Sequence, residues 1–293
     1  MRIAFIGLGE AATAIISGWD RNNIKKITAF DIKTNDQLMS EEIKLRAQNL
    51  QIKLSFTLAE ALDSAEIVFS TVTADQAANV AKSAVKFMRK EAYFFDLNSC
   101  APSTKRISAD YMQKRMVRYV DVAVMEPVYP KQHKVPLLIS GAWSENAKEI
   151  FNSLSMCSRV VQGEIGRASS IKMVRSIMVK GLEALTAECA LAAHASDVVD
   201  EVFASLRDGH PNIDIRTRAT YNFDRSVQHG MRRAAEMDEV AKMVTDLGLP
   251  NVLAQATAHW QRLIADHSNG KLPFKKERSL ESFLDELLAN IKK

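Results

Sequence analysis

The chain has few cysteines for its 293 residues: Cys100, Cys157 and Cys189, an odd number without metal-ligand spacing. That excludes a disulfide framework and fits reduced thiols in a cytoplasmic setting. The six histidines form no pairs at the spacing zinc requires, so no metal is expected. No apolar run approaches the length of a membrane span, and Glu10 interrupts the N-terminal apolar stretch too soon for a signal peptide. An excess of charge of one sign is also lacking. The net charge is +4, and pairs such as Lys25-Lys26 and Lys275-Lys276 stand isolated, which argues for solvated faces and against a nucleic-acid surface. No internal repeat or low-complexity tract occurs. A hydrophobic content of 47% does allow the cores of two domains.

The most informative residues present are the first dozen. The apolar run from Ile3 to Ile6 empties into Gly7-Leu8-Gly9-Glu10-Ala11-Ala12 and then a helix-like stretch, which is the G-x-G-x-x-A fingerprint of a dinucleotide site in its expected context. Gly7 permits the tight turn, Gly9 lets a pyrophosphate approach the backbone, and Ala12 lets the helix pack closely on the strand. The phosphates are expected on the free amides of the helix N-terminus. A second apolar run, Ile27-Thr28-Ala29-Phe30, ends in Asp31, placed to accept the hydroxyls of an adenine ribose. Asp31 argues for NAD because its charge repels a 2′-phosphate, while Lys33 leaves room for NADP.

Up to residue 163 short β-rich runs alternate with helical ones, which predicts an α/β, Rossmann-type doubly wound parallel sheet with crossover helices. Strands are expected near 2–6, 26–30, 52–56, 67–71, 93–97, 119–124, 137–140 and 159–161, and helices near 74–87 and 102–114. Over 164–293 the strand signal vanishes. Helical periodicity over 168–196, 221–247, 252–267 and 280–291 predicts an all-α second domain. Its connectors carry breakers at Asp208-Gly209-His210-Pro211-Asn212, Gly248-Leu249-Pro250 and Ser268-Asn269-Gly270-Lys271-Leu272-Pro273.

Ligands of such a sheet bind beyond the carboxyl ends of its strands. Three segments fall there: Thr71-Val72-Thr73-Ala74-Asp75, Asp96-Leu97-Asn98-Ser99-Cys100-Ala101-Pro102 and Met125-Glu126-Pro127-Val128. Thr71, Val72, Thr73 and Asn98 are expected near the cofactor, and Asn98, Ser99, Met125 and Glu126 near a substrate. Capping of the following helices by Thr73, Asp75 and Ser99 accounts equally well for those residue types. Cys100 has no partner base nearby and reads as a packed side chain.

At the start of the helical half, Lys172, Arg175, Ser176 and Lys180 share one helical stripe, while Ile171, Val174, Ile177, Met178, Leu182 and Leu185 make the rest apolar. One explanation is the solvated edge of an amphipathic helix. The other starts from charge, since three cations precede the first acid, Glu183, an arrangement that suits a bound anion. Partial burial beside Arg175 would also ease proton exchange at Lys172 near neutrality. A pair of basic residues on a later helix, Arg232-Arg233, followed by Glu236, is a further candidate for the site's border.

These features together resemble the β-hydroxyacid dehydrogenase superfamily, which includes 3-hydroxyisobutyrate and 6-phosphogluconate dehydrogenases. The resemblance covers nearly the whole chain and rests on Gly7 to Ala12, Asp96-Leu97-Asn98-Ser99, Asp121-Val122-Ala123-Val124 and the Gly166 to Lys172 helix start, with a phosphogluconate-dehydrogenase-like helical C-terminal domain. It implies hydride transfer between a nicotinamide cofactor and a small hydroxy or keto compound. It also implies Lys172 as acid/base, a cleft between the domains and a homodimer built by the C-terminal helices. Met125-Glu126-Pro127 stands where that family usually has Ser-Gly-Gly, Arg175-Ser176 replaces its Asn or His-Asn, and Val179 replaces the glutamate of phosphogluconate dehydrogenases. Phosphogluconate is therefore not the expected substrate, and Arg175 is expected to clamp the anion instead, with Ser176 beside it. A C=N reductase and a non-catalytic dinucleotide sensor are the alternative functions. Substrate identity and direction are not encoded in any motif.

Overall fold

The computed structural model describes residues 1–209, 214–268 and 279–292. His210-Pro211-Asn212, Asn269 to Pro273 and Lys275-Lys276 lie outside the described residues. The strands are β1 (Arg2–Ile6), β2 (Lys26–Phe30), β3 (Lys53–Leu54), β4 (Ile67–Ser70), β5 (Tyr93–Asp96), β6 (Arg118–Val124), β7 (Leu137–Ser140) and β8 (Ser158–Val160). They form one sheet in the order β3-β2-β1-β4-β5-β6-β7-β8. The strand order reverses between β1 and β4, the crevice at which doubly wound sheets hold their ligands. Helices α1 (Glu10–Gly18), α2 (Ser40–Asn49), α3 (Leu58–Leu62), α4 (Ala77–Ala84), α5 (Pro102–Gln113) and α6 (Ser144–Ser153) fill the connections.

Burial on both faces makes the strands nearly continuous apolar runs. Ile3 and Phe5 of β1 enter one core with Phe69, Phe95 and Phe151, while Ala4 and Ile6 enter another with Val68, Phe94 and Met112. Phe69 lies at the centre of the first, 5.0 Å from Phe5 and 5.1 Å from Phe95 by ring centroid.

The sheet departs from the parallel expectation at one place, where β7 runs antiparallel to β6. Between Val124 and Leu137 there is only a short helical turn, Gln132–Lys134, and no crossover helix to bring the chain back for parallel pairing. The strand expected over 52–56 contracts to Lys53–Leu54 at the sheet edge, and the helix expected over 74–87 divides into a turn at Ala74–Gln76 and α4.

The remaining helices are α7 (Arg167–Ala195), α8 (Val199–Gly209), α9 (Ile215–Asp246), α10 (Val252–His267) and α11 (Leu280–Ile291). Compact units cover Met1–Met173 and Val174–Lys293. The division therefore falls inside α7, later than residue 163, and the first turns of that helix belong to the sheet unit. In the second unit Leu191, Phe203, Phe223, Ile264, Phe283 and Leu287 form the core. α9 starts earlier than the apolar periodicity suggests, because Asp214 caps it by accepting from the Thr217 amide at 3.1 Å.

Among the described residues, no helix is long and apolar enough to cross a membrane, and no group of three or more His, Cys, Asp or Glu could hold a metal ion.

Candidate active site

The turn after β1 is fixed by backbone geometry. Gly7 has φ +88°, and a Cβ there would come within 2.6 Å of the Thr71 carbonyl oxygen, so only glycine fits. At Gly9 nothing lies within 4 Å of such a Cβ, which leaves the space before the uncapped N-terminus of α1 open. Ala12 is fully buried under the sheet, Leu8 is buried too, and Glu10 is exposed. Asp31 straightens the same turn from β2: one carboxylate oxygen accepts from the Leu8 amide at 2.8 Å, the other from the Lys33 amide at 2.9 Å. Across the switch point the Thr71 hydroxyl donates to the Gly7 carbonyl at 2.9 Å. An open cradle, free amides and a carboxylate at the end of β2 fit a dinucleotide.

Asn98 is buried and its side chain is engaged internally. Its Oδ1 accepts from the Val72 amide at 2.7 Å, and its Nδ2 donates to Ser70 Oγ at 2.9 Å and Asp96 Oδ1 at 2.7 Å. With both Nδ2 protons used in this way, Asn98 shapes the loops after β4 and β5. Ser99 projects beside it and accepts a hydrogen bond from Lys172 Nζ. Ser99 is not a helix cap, since α5 starts at Pro102 with Ala101 in the cap position, and Asp75 lies inside the short turn that Thr73 precedes. Cys100 is fully buried, its thiol directed at the Asn98 carbonyl oxygen 3.8 Å away.

Lys172 reaches Ser99 because the start of α7 is anchored on the sheet. Asp121 of β6 accepts through Oδ2 from the amides of Gly166 at 3.1 Å and Ser169 at 3.0 Å, and through Oδ1 from the Ser169 hydroxyl at 2.6 Å. Ser140 of β7 takes the Ala168 amide at 3.0 Å. Gly166, at φ +98°, lies so close to Pro102 that a Cβ would meet its ring at 2.9 Å. Sequence reasoning missed Asp121 as an anchor. The available signal was an acid inside an apolar strand, which requires a buried partner. Met125 is half-buried at the end of β6, and Glu126 is exposed and paired with Lys131 at 2.6 Å.

In the second unit the stripe on α7 is inverted from expectation. Ser176, Lys180 and Glu183 are buried, whereas Val174, Met178, Leu182 and Leu185 are exposed, as is Arg175. Lys180 pairs with Glu236 of α9 at 2.8 Å and donates to Ser176 Oγ at 3.3 Å, and Glu183 pairs with Arg233. Burial draws the Lys180 ammonium below the ordinary lysine range, against the pull of Glu236. Lys180 thus does not need a ligand for charge balance. Arg232 and Arg233 are likewise taken up by Glu236 and Glu183.

Two family models match the chain: a domain described as NADP oxidoreductase, coenzyme F420-dependent, over residues 2–94, and a domain of unknown function (DUF1932) over residues 193–264. A conserved hypothetical protein from Sinorhizobium meliloti has a solved structure that is 32% identical, with 99% of this chain and 96% of that one covered and a TM-score of 0.74. An uncharacterised 28.5 kDa protein of Methanothermus fervidus is 26% identical over 88% of this chain and 96% of its own length. At the level of fold alone, a Mycobacterium tuberculosis 3-hydroxyisobutyrate dehydrogenase solved with L-serine is 14% identical, with 98% of each chain covered and a TM-score of 0.67.

Proposed function

Since the chain belongs to the β-hydroxyacid dehydrogenase-like superfamily with a helical C-terminal region, we propose that it moves hydride between NAD and a small anionic hydroxy or keto compound, with Lys172 as the general acid/base. The observation that carries this reading is the hydrogen bond from Lys172 Nζ to Ser99 Oγ, beyond the carboxyl end of β5. It holds an ammonium group where doubly wound sheets bind ligands.

A bound nicotinamide dinucleotide supplies or accepts the hydride. Gly7 and Gly9 admit it, the amides at the start of α1 receive its phosphates, and Asp31 faces the ribose, which favours NAD over NADP. Lys172 gives a proton to the carbonyl oxygen during reduction and removes the hydroxyl proton during oxidation. Ser99 fixes the ammonium by accepting from it, and Asn98 holds the surrounding loops. Arg175, one turn along α7 from Lys172, takes the anionic group of the substrate, with Met125 and Glu126 at the substrate end. The exposed apolar face of α7, with Val174, Met178, Leu182 and Leu185, suits the contact of a cytoplasmic homodimer.

The test is a panel of hydroxy and keto acids assayed by nicotinamide absorbance with both NADH and NADPH and their oxidised forms. Turnover with at least one anionic member and better kcat/KM with the NAD form support the reading. Thermal stabilisation by NAD without turnover across the panel identifies a sensor and contradicts it.

A further inference from the structure

We propose that Lys105, a residue of α5 away from the reacting atoms, is the positioning residue that holds the Ser99 and Lys172 sides of the site together. This rests on the assignment of Lys172 above. Lys105 is fully buried, as are Asp96 and Asp121. Its Nζ donates to the Asp96 carbonyl oxygen at 2.7 Å and to Asp96 Oδ1 at 2.9 Å, and lies 3.6 Å from Asp121 Oδ1. One cation therefore serves two carboxylates, and those two acids are direct neighbours on adjacent strands, in register across β5 and β6.

Each carboxylate orders a different part of the site. Asp96 Oδ1 accepts from the Asn98 amide at 3.0 Å and from Asn98 Nδ2, and Oδ2 accepts from the Tyr119 hydroxyl at 2.7 Å, which sets the turn that presents Ser99. Asp121 receives the first turn of α7 and so sets Lys172. Both tasks require ionised acceptors. Two like charges side by side in a low dielectric cannot both persist without a counter-charge, and one would take up a proton. A protonated oxygen donates instead of accepting, so either the Asn98 turn or the start of α7 would lose a bond. Buried ion pairs add little net stability compared with apolar packing, so the network is better explained by the placement it enforces.

The experiment compares Lys105→Met with Lys105→Met/Asp121→Asn in the full chain, by amide hydrogen exchange and by turnover on a substrate from the panel. In the double variant the charge balance returns, and the Asn amide oxygen still accepts from Gly166 and Ser169 while its NH2 group donates to the Ser169 hydroxyl. Lys105→Met is expected to speed exchange about tenfold at the Gly166 and Ser169 amides or at those of Val72 and Asn98, with β1 and β2 unchanged, and the double variant to reverse it. It is also expected to lower kcat about tenfold with dinucleotide Kd changed less than about threefold, and the double variant to recover most of the loss. Unchanged exchange at both segments, or a double variant no better than the single one, overturns the proposal. If Lys105→Met does not fold, the double variant decides alone: it must fold and keep the protection of both segments. Lys172→Ala in the same assay separates the two claims. Full turnover there refutes the acid/base assignment and leaves exchange to judge Lys105, whereas loss there with full turnover in Lys105→Met refutes the role of Lys105 alone.

Discussion

Ser169, in the first turn of the helix that carries Lys172, gives both its amide and its hydroxyl to Asp121 of β6, at 3.0 and 2.6 Å. A helix start that would otherwise present orphan amides is thereby fastened to the sheet. Replacing Asp121 by Ala strands two buried amides and leaves Lys105 with a single carboxylate. The expected loss is about 3 kcal/mol, measured as the urea-unfolding free energy of the sheet unit.

The two glycines of the fingerprint are predicted to behave differently. Gly7→Ala places a methyl group 2.6 Å from the Thr71 carbonyl oxygen at positive φ. A destabilisation of about 2 kcal/mol is expected in denaturant titrations. Gly9→Ala meets open space at negative φ, so stability should stay within about 0.5 kcal/mol of the parent. Dinucleotide affinity should nevertheless fall about tenfold or more in a fluorescence titration, because the methyl group occupies the path of the pyrophosphate.

The contrast shows what the sequence could reveal. Local patterns placed β1, the glycine turn, Asp31 and the helical second half, because each depends on neighbours within a few residues. Non-local partners were invisible. The stripe of Lys172, Arg175, Ser176 and Lys180 looked like an uncompensated patch because Glu236, the counter-charge of Lys180, lies on another helix. Nothing near Lys105 in the sequence signals that Asp96 and Asp121 converge on it. The antiparallel turn of β7 was hidden for the same reason, as strand direction follows from the missing crossover helix and not from the strand's own residues.

Alkaline pH should unfold the sheet unit in a defined window. Burial opposes the charge on Lys105, but Asp96 and Asp121 outweigh it and raise its pKa above the ordinary 10.5. Burial, then the charge of Asp96, pushes the Tyr119 phenol well above 10.0. Both groups hold their protons more tightly when folded, so their contribution is complete below about pH 10 and is lost as the pH rises through the folded values. Lys180, lowered by burial, acts oppositely up to its ordinary 10.5, but it belongs to the second unit, so the decline is read on the unfolding of the sheet unit. Urea midpoints at about pH 9 and pH 11 should show the loss, and Tyr119→Phe should make it shallower.

Met178 and Leu182 are 63% and 42% exposed on the apolar face of α7. If that face joins two copies, Met178→Glu/Leu182→Glu should convert a dimer into a folded monomer by light scattering, with the helical circular dichroism unchanged. A parent chain that is itself monomeric at micromolar concentration contradicts this prediction.

The most direct measurement is the turnover number of Lys172→Ala beside its dinucleotide Kd, on whichever substrate the panel yields. Proton transfer by a positioned group contributes about 10²–10⁴ in rate, so kcat should drop by that order while the Kd stays within about threefold of the parent. Parental turnover in Lys172→Ala would contradict the account at its centre.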